Sequence, residues 1–368
     1  MRLSLPKSLC RAGFGMCIAA SVAALSIAEG AIRIPADDPR IAYVGHWGAI
    51  QRDGQTCMAT INSSSQIYLN FTGTQVTGLF DLKDIEYLEQ IDVRVDGGDW
   101  SLITVDQSRI ELFPSGLAQG QHHLEIAVKA IDGNGDRWLP PLRSAIVFSG
   151  FELDPASTVG PRSPQGQKPF IEFLGDSITQ GEGILNNGGP VINSDALATY
   201  AWLTGEALGT THVQIAFGGS GVIRSGSGNV PPAPLSFEWN FAGSSADFSV
   251  VPDFILINLG TNDQYSSSEF LPAYTKLVRE IRRHCPQTVI FAMRPFHGES
   301  FHGDDVAKLV KMMDDPRIIY IDSSGWMDAG DFTDGAHPNV PGSRKAAARL
   351  EEALRPYISR WKPMGATN

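Results

Sequence analysis

The stretch Phe170-Ile171-Glu172-Phe173-Leu174-Gly175-Asp176-Ser177-Ile178-Thr179 is an apolar run that ends abruptly in Gly-Asp-Ser. A short apolar run closed by a turn reads as a buried strand, which puts the polar trio in the loop at its carboxyl end. Forward from it the rhythm of strand, loop and helix repeats. A helix is read over 200–208, a strand over 213–217, another over 254–259, a helix over 268–284, a strand over 288–293, a short helix over 306–313 and a strand over 318–321. Apolar strands alternating with helices predict a parallel sheet covered on both faces. The chain closes on a helix with an apolar stripe at Ala346, Ala347, Leu350, Ala353, Leu354 and Tyr357, with Pro341 ahead of Ser343 as the expected N-cap.

Backward from the same stretch the pattern changes. Residues 153–169 hold four prolines and little that is apolar, and they read as a linker. Before them, residues 32–152 alternate apolar and polar positions in short runs such as Gln66-Ile67-Tyr68-Leu69-Asn70-Phe71 and Ile91-Asp92-Val93-Arg94-Val95. Turn signals such as Asp96-Gly97-Gly98 interrupt them, and no helical period is sustained. These are strands with one wet face, and a β-sandwich is predicted. Residues 1–28 read as a cleavable signal peptide: Arg2, Lys7 and Arg11 precede an alanine-rich apolar stretch that ends in Ser26-Ile27-Ala28. The expected location is therefore secreted or periplasmic, without a membrane anchor.

Composition closes off other classes. The 368 residues include 18 Phe, 7 Trp and 8 Tyr, too many large apolar groups for a disordered chain. The net charge is -11, from 29 basic and 40 acidic residues, and removal of residues 1–28 deletes three positive charges and no negative ones to leave -14. Such a field repels phosphate backbones, so nucleic acid is not an expected partner. Cys57 and Cys285 remain after export, and two buried thiols are favoured over a disulfide between them. Nothing in the pattern fixes an oligomeric state.

In an open parallel sheet the carboxyl ends of the strands share one rim, and four polar clusters fall there. They are Gly175-Asp176-Ser177-Ile178-Thr179, Gly218-Gly219-Ser220-Gly221, Gly260-Thr261-Asn262-Asp263 and Asp334-Gly335-Ala336-His337. Each alone would pass as a turn or a cap. Together they supply a serine hydroxyl, a base to take its proton and an acid to fix that base's tautomer, in Ser177, His337 and Asp334. Attack on an acyl carbon creates an oxyanion, for which the candidate donors are the backbone N–H groups of Ser177 and Gly219 and the side-chain amide of Asn262.

The order and wording of these clusters resemble the SGNH, or GDSL-type, hydrolase superfamily, through Phe173-Leu174-Gly175-Asp176-Ser177-Ile178-Thr179, Gly260-Thr261-Asn262-Asp263 and Asp334-Gly335-Ala336-His337-Pro338. In the glycine block Gly218, Gly219 and Gly221 compete, and Gly219 is chosen for its place just after the strand. The resemblance covers residues 168–360 and implies a Ser-His-Asp esterase with no metal or organic cofactor. With a strand-rich domain ahead of it and Gly181-Glu182-Gly183 close behind Ser177, the chain looks most like carbohydrate esterase family 2. That likeness implies a jelly-roll sandwich over 32–152, an SGNH domain over 170–360 and removal of O-acetyl groups from polysaccharide. Two other readings share these residues: an esterase of lipid or small aryl or alkyl esters, and a non-catalytic carbohydrate-binding or matrix-assembly protein. Intact Ser177, Asn262 and His337 argue against the last.

Other features draw attention. Residues 224–252 form a long loop containing Trp239, which with Trp326 is a candidate sugar-stacking face; packing the loop down is the competing role. His297 and His302 lie in a loop after the fourth strand of the second half, without a metal-ligand frame, and are expected at the rim of the site. Asp132, Asn134 and Asp136 begin like a calcium loop, but Arg137 stands where glycine is required, so a hairpin turn is expected. His122 and His123 should face opposite sides of a strand and serve structure.

Overall fold

The computed structural model describes residues 30–163, 166–188, 191–296 and 302–363. The signal-peptide reading of 1–28 and His297 lie outside the described residues. The amino-terminal half is a sandwich of two six-stranded antiparallel sheets. Strand Ile146–Leu153 lies between Gln55–Thr60 and Val76–Phe80 in one sheet, and strand Gly120–Ala130 lies between Gln66–Gly73 and Gln90–Val95 in the other. Between them is a core that includes Leu69, Phe71, Val93, Ile126, Phe148 and Phe151. The segment read as a linker contributes a two-residue strand, Thr158–Val159, that pairs with Thr72 and Phe71, so the sandwich reaches past Leu153. The run was too short and too polar to show a period.

The second half holds a five-stranded, wholly parallel sheet. In spatial order its strands are Thr211–Ala216, Phe170–Gly175, Phe254–Asn258, Val289–Met293 and Ile318–Ile321. The chain therefore runs outward from the first strand to one edge and returns past it to the other. The crevice where that direction reverses lies between the carboxyl ends of Phe170–Gly175 and Phe254–Asn258. Helices Tyr200–Leu208, Ser267–His284, Gly303–Met313 and Val340–Ile358 accompany the sheet. The last helix starts earlier than expected: Asn339, not Ser343, is its N-cap, with its side chain accepting from Gly342 N at 2.8 Å. Pro341 fits inside that first turn, where its missing N–H leaves nothing unsatisfied.

The halves share a core. Met58 faces the sandwich interior while Cys57 and Ala59 face the other way, and Ile146 and Phe148 likewise oppose Val147. This is the two-residue period of a strand with both faces covered. Cys57, Ala59 and Val147 join one buried cluster with Val213, Ile215 and Phe217. Polar bonds stitch the same joint: Gln66 Nε2 donates to His212 O at 2.6 Å and Gln214 N to Ser64 Oγ at 2.7 Å. Cys57 and Cys285 are both free and buried. Among the described residues no helix is long and apolar enough to cross a membrane.

Candidate active site

Ser177 opens a single helical turn, Ser177–Gln180, set on the end of the first strand of the parallel sheet. Asp176 caps it, accepting from Ile178 N at 3.0 Å. Gly175 is required by crowding, because a Cβ there would lie 2.1 Å from Thr179 Oγ1. Ser177 is 8% exposed.

His337 reaches this hydroxyl from the loop before the last helix. Its Nε2 lies 2.8 Å from Ser177 Oγ, and its Nδ1 lies 2.8 Å from Asp334 Oδ2. Asp334 Oδ1 also accepts from His337 N at 2.8 Å and Ala336 N at 3.0 Å. Burial by itself would raise the Asp334 carboxyl, but the backbone N–H and imidazole of His337 and the Ala336 N–H outweigh it and hold the group at about 2. A permanently ionised Asp334 favours the tautomer with hydrogen on Nδ1, which leaves Nε2 free to accept the serine proton.

The candidate oxyanion donors besides Ser177 lie on two further loops, those of Gly219 and Asn262. Gly218 N bonds Gln180 Oε1 at 2.7 Å and Gly221 N bonds Arg224 O at 3.0 Å, whereas the N–H groups of Gly219 and Ser177 have no intramolecular acceptor among the described residues. Gly219 has φ +70, a conformation that other residues adopt at a cost. The side-chain amide of Asn262 is already engaged, donating to Ser220 O at 3.0 Å and to Asp176 Oδ2 at 3.3 Å. Both hydrogens of the amide are thus engaged, and the bond to Asp176 is the longer of the two. Burial pushes the Asp176 carboxyl up to about 7.

Asp263, next in the chain, is fully buried and accepts from Val222 N, Ile223 N and Arg224 N at 2.8, 2.9 and 3.1 Å. It clamps the far end of the glycine loop. Sequence reasoning missed it, although its place beside Asn262 was a signal. His302 supports it from behind, with Nε2 donating to Asp263 O at 2.7 Å and the ring stacked on Phe270 at 3.8 Å. Tyr265, 44% exposed, stands three residues beyond Asn262 and was also missed.

The two candidate stacking tryptophans are each half-buried against an apolar cluster. Trp239 packs against the core shared by the two halves, and its carbonyl faces His46 Nδ1 at 3.2 Å. Trp326 packs against the cluster that includes Ile178 and Tyr200 and shares a surface depression with Arg349, Glu352 and Ala353, about three turns along the last helix from its His337 end. Asp132 and Asp136 are occupied as turn caps, with Asp132 Oδ1 accepting from Asn134 N and Asp136 Oδ1 from Trp138 N. His122 is bonded to Asp96 and His123 to Asn70, on opposite sides of their strand.

The GDSL-like Lipase/Acylhydrolase family matches residues 173–345. Over 354 residues the chain is 27% identical to the acetylxylan esterase / glucomannan deacetylase of Cellvibrio japonicus, covering 88% of this chain and 90% of that protein. Over 273 residues it is 30% identical to the cellulase/esterase CelE of Acetivibrio thermocellus, covering 69% of this chain but 31% of that one, so it spans about a third of that relative's length. A solved family two carbohydrate esterase from Clostridium thermocellum, in complex with cellohexaose, matches with a TM-score of 0.71 at 23% identity, over 87% of this chain and 99% of that chain. At that identity the likeness speaks for the fold, sandwich and parallel sheet together.

Proposed function

We propose, from the premise of an SGNH-type chain most like the family 2 carbohydrate esterases, that this protein is an exported serine esterase that removes O-acetyl groups from polysaccharide or oligosaccharide. The observation that carries the reading is the line Ser177 Oγ, His337 Nε2, His337 Nδ1, Asp334 Oδ2, with 2.8 Å at each hydrogen bond. Ser177 Oγ attacks the acetyl carbon while His337 Nε2 takes its proton. The carbonyl oxygen becomes an oxyanion facing the N–H groups of Ser177 and Gly219 and the amide of Asn262, each such donor lowering the barrier by about 3 to 4 kcal/mol. Collapse breaks the bond to the sugar oxygen, which takes the proton from His337 and leaves as the sugar hydroxyl. Water, deprotonated in turn by His337, then attacks acetyl-Ser177; the bond to Ser177 Oγ breaks, His337 returns the proton to Oγ, and acetate is released.

The substrate class rests on the relatives. One is named an acetylxylan esterase and glucomannan deacetylase, and another was solved with cellohexaose. Export rests on the sequence pattern of residues 1–28. The test is acetate release from acetylated xylan and from an aryl acetate, comparing the protein without residues 1–28 with its Ser177→Ala form. Release from both substrates, lost by about 10⁴-fold or more in the variant, is expected. Hydrolysis of the aryl ester alone would move the substrate to small or lipid esters. Activity that survives Ser177→Ala would overturn the serine mechanism.

A further inference from the structure

We propose that Arg137, contributed by the sandwich half, is a positioning residue that holds the Gly219 N–H in its oxyanion-donating direction. The inference deepens the esterase reading and rests on it. A trans peptide is planar, so the C=O of Gly218 and the N–H of Gly219 are opposite ends of one rigid unit. Fixing the carbonyl aims the N–H. Gly218 O accepts from Ser227 N at 2.7 Å, and Gly218 N donates to Gln180 Oε1 at 2.7 Å, so the peptide is pinned on both sides of the Gly218 Cα.

Both pins lead to the same guanidinium. Arg137 Nε donates to Ser227 O at 3.2 Å, and Nη2 donates to Ser227 Oγ and to Gln180 Oε1, the latter at 3.3 Å. Its backbone N donates to Gly228 O at 3.1 Å, and the guanidinium carbon lies 5.2 Å from the centre of the Phe217 ring. Gln180 Nε2 reaches back toward Ile131 O of the sandwich at 3.5 Å. Gln180 also ends the helical turn that begins at Ser177, so one side chain spans the nucleophile's helix and the oxyanion loop. Space is tight enough to make the arrangement rigid: a Cβ on Gly218 would lie 2.4 Å from Glu182 Oε2 and 3.1 Å from Ser227 Oγ.

Arg137 is fully buried. Removing a guanidinium from water is costly, and burial drives it down to about 10 despite the opposing charges of Glu89, Glu182 and Asp132. An apolar side chain would fill the joint between the halves more cheaply. A planar fork of donors, however, is what bridges Ser227 and Gln180 at once, and lysine offers no such geometry. Asp263 clamps the far end of the loop, at residues 222–224, from within the parallel-sheet half. The end that bears Gly219 is held from the sandwich, which makes that half a structural part of the active site.

The test is Arg137→Lys in the full mature chain, with Arg137→Met beside it, assayed on an aryl acetate and normalised to the serine titrated by an organophosphate. The lysine form keeps the charge near Glu89 and Glu182 while losing the fork, so it guards against a variant that fails to fold. Expected is a kcat per titrated serine lower by about 10- to 100-fold, short of deleting a donor, with KM nearly unchanged and the pH profile unaltered in shape. A purely structural role would lower the melting temperature and the titratable fraction but leave kcat per titrated serine at the wild-type value. That result in both variants, with Ser177→Ala inactive, overturns the inference alone. A wild-type protein inert toward the ester overturns it together with the esterase reading.

Discussion

Asp334 holds His337 at two points: Oδ1 accepts its backbone N–H at 2.8 Å, and Oδ2 faces its Nδ1 at 2.8 Å. One carboxylate thus sets both the loop and the imidazole tautomer. Asp334→Asn keeps the shape but can place an NH₂ against Nδ1, which favours the tautomer with hydrogen on Nε2, unable to accept from Ser177. We expect kcat on an aryl acetate to fall by about 10²- to 10⁴-fold with little change in melting temperature. A kcat within about threefold of wild type would show that His337 is oriented without this partner. The depressed carboxyl also fixes a sign in pH. Asp334 is ionised down to about 2, so activity lost in mildly acidic solution reports another group.

Asn262 is committed before any substrate arrives, to Ser220 O and Asp176 Oδ2. Asn262→Ala should lower kcat by about 10²- to 10³-fold and leave KM nearly constant, because the donor is needed most in the transition state. Asn262→Asp should be worse, since it sets a second carboxyl against Asp176 and repels the developing oxyanion. A loss confined to KM would remove Asn262 from the oxyanion site.

The parallel sheet was legible because 254–257, 289–293 and 318–321 are continuous apolar runs, and because 170–174 is apolar but for Glu172 and breaks at Gly175-Asp176. The reading of 170–174 and the observed Phe170–Gly175 differ by one residue, and Ile318–Ile321 was read without error. Ser177, Asn262 and His337 stood out because rim loops carry polar residues in a fixed order. What escaped was set by distance along the chain. Arg137 meets Gln180 43 residues away and Ser227 90 residues away, and nothing local distinguishes a buried arginine from a failed calcium loop. Trp239 was visible as an aromatic in a long loop, but its packing on the shared core depends on the docking of the halves.

Glu172, on the strand Phe170–Gly175, is buried with Oε1 unpaired, and burial pushes its carboxyl from 4.5 up to about 8. A carboxyl raised in the folded state stabilises it fully below the unfolded value, and that contribution is lost as pH rises through the folded one. Glu172→Gln should therefore melt higher than wild type at about pH 9, and the advantage should vanish at about pH 4.5. Equal melting temperatures at both pH values would mean that Glu172 is solvated or paired when ionised.

Cys57 and Cys285 are free and buried, at 2% and 0% exposure, and burial pushes the Cys285 thiol up to about 12. A thiolate is the reactive form, so neither should react with an aromatic disulfide reagent in the native state, and both should react once the mature chain is unfolded without reductant. An unfolded chain that shows no thiol would mean the two had paired, which their separate places in the fold oppose.

The two tryptophans proposed as sugar-stacking faces separate by what each touches. Trp239 packs into the core between the halves, so Trp239→Ala should lower the melting temperature and the yield of folded protein. Trp326 lines a surface depression but also packs against the buried cluster that includes Ile178, Tyr200 and Ile321, so Trp326→Ala should lower the melting temperature while leaving aryl-acetate hydrolysis by the folded protein close to wild type. Its effect on the reaction, if the ring stacks on sugar, is a raised KM for acetylated polysaccharide. A variant with wild-type KM on the polymer removes Trp326 from the binding surface. The exposed Tyr265, beside the oxyanion loop, then becomes the aromatic to truncate next.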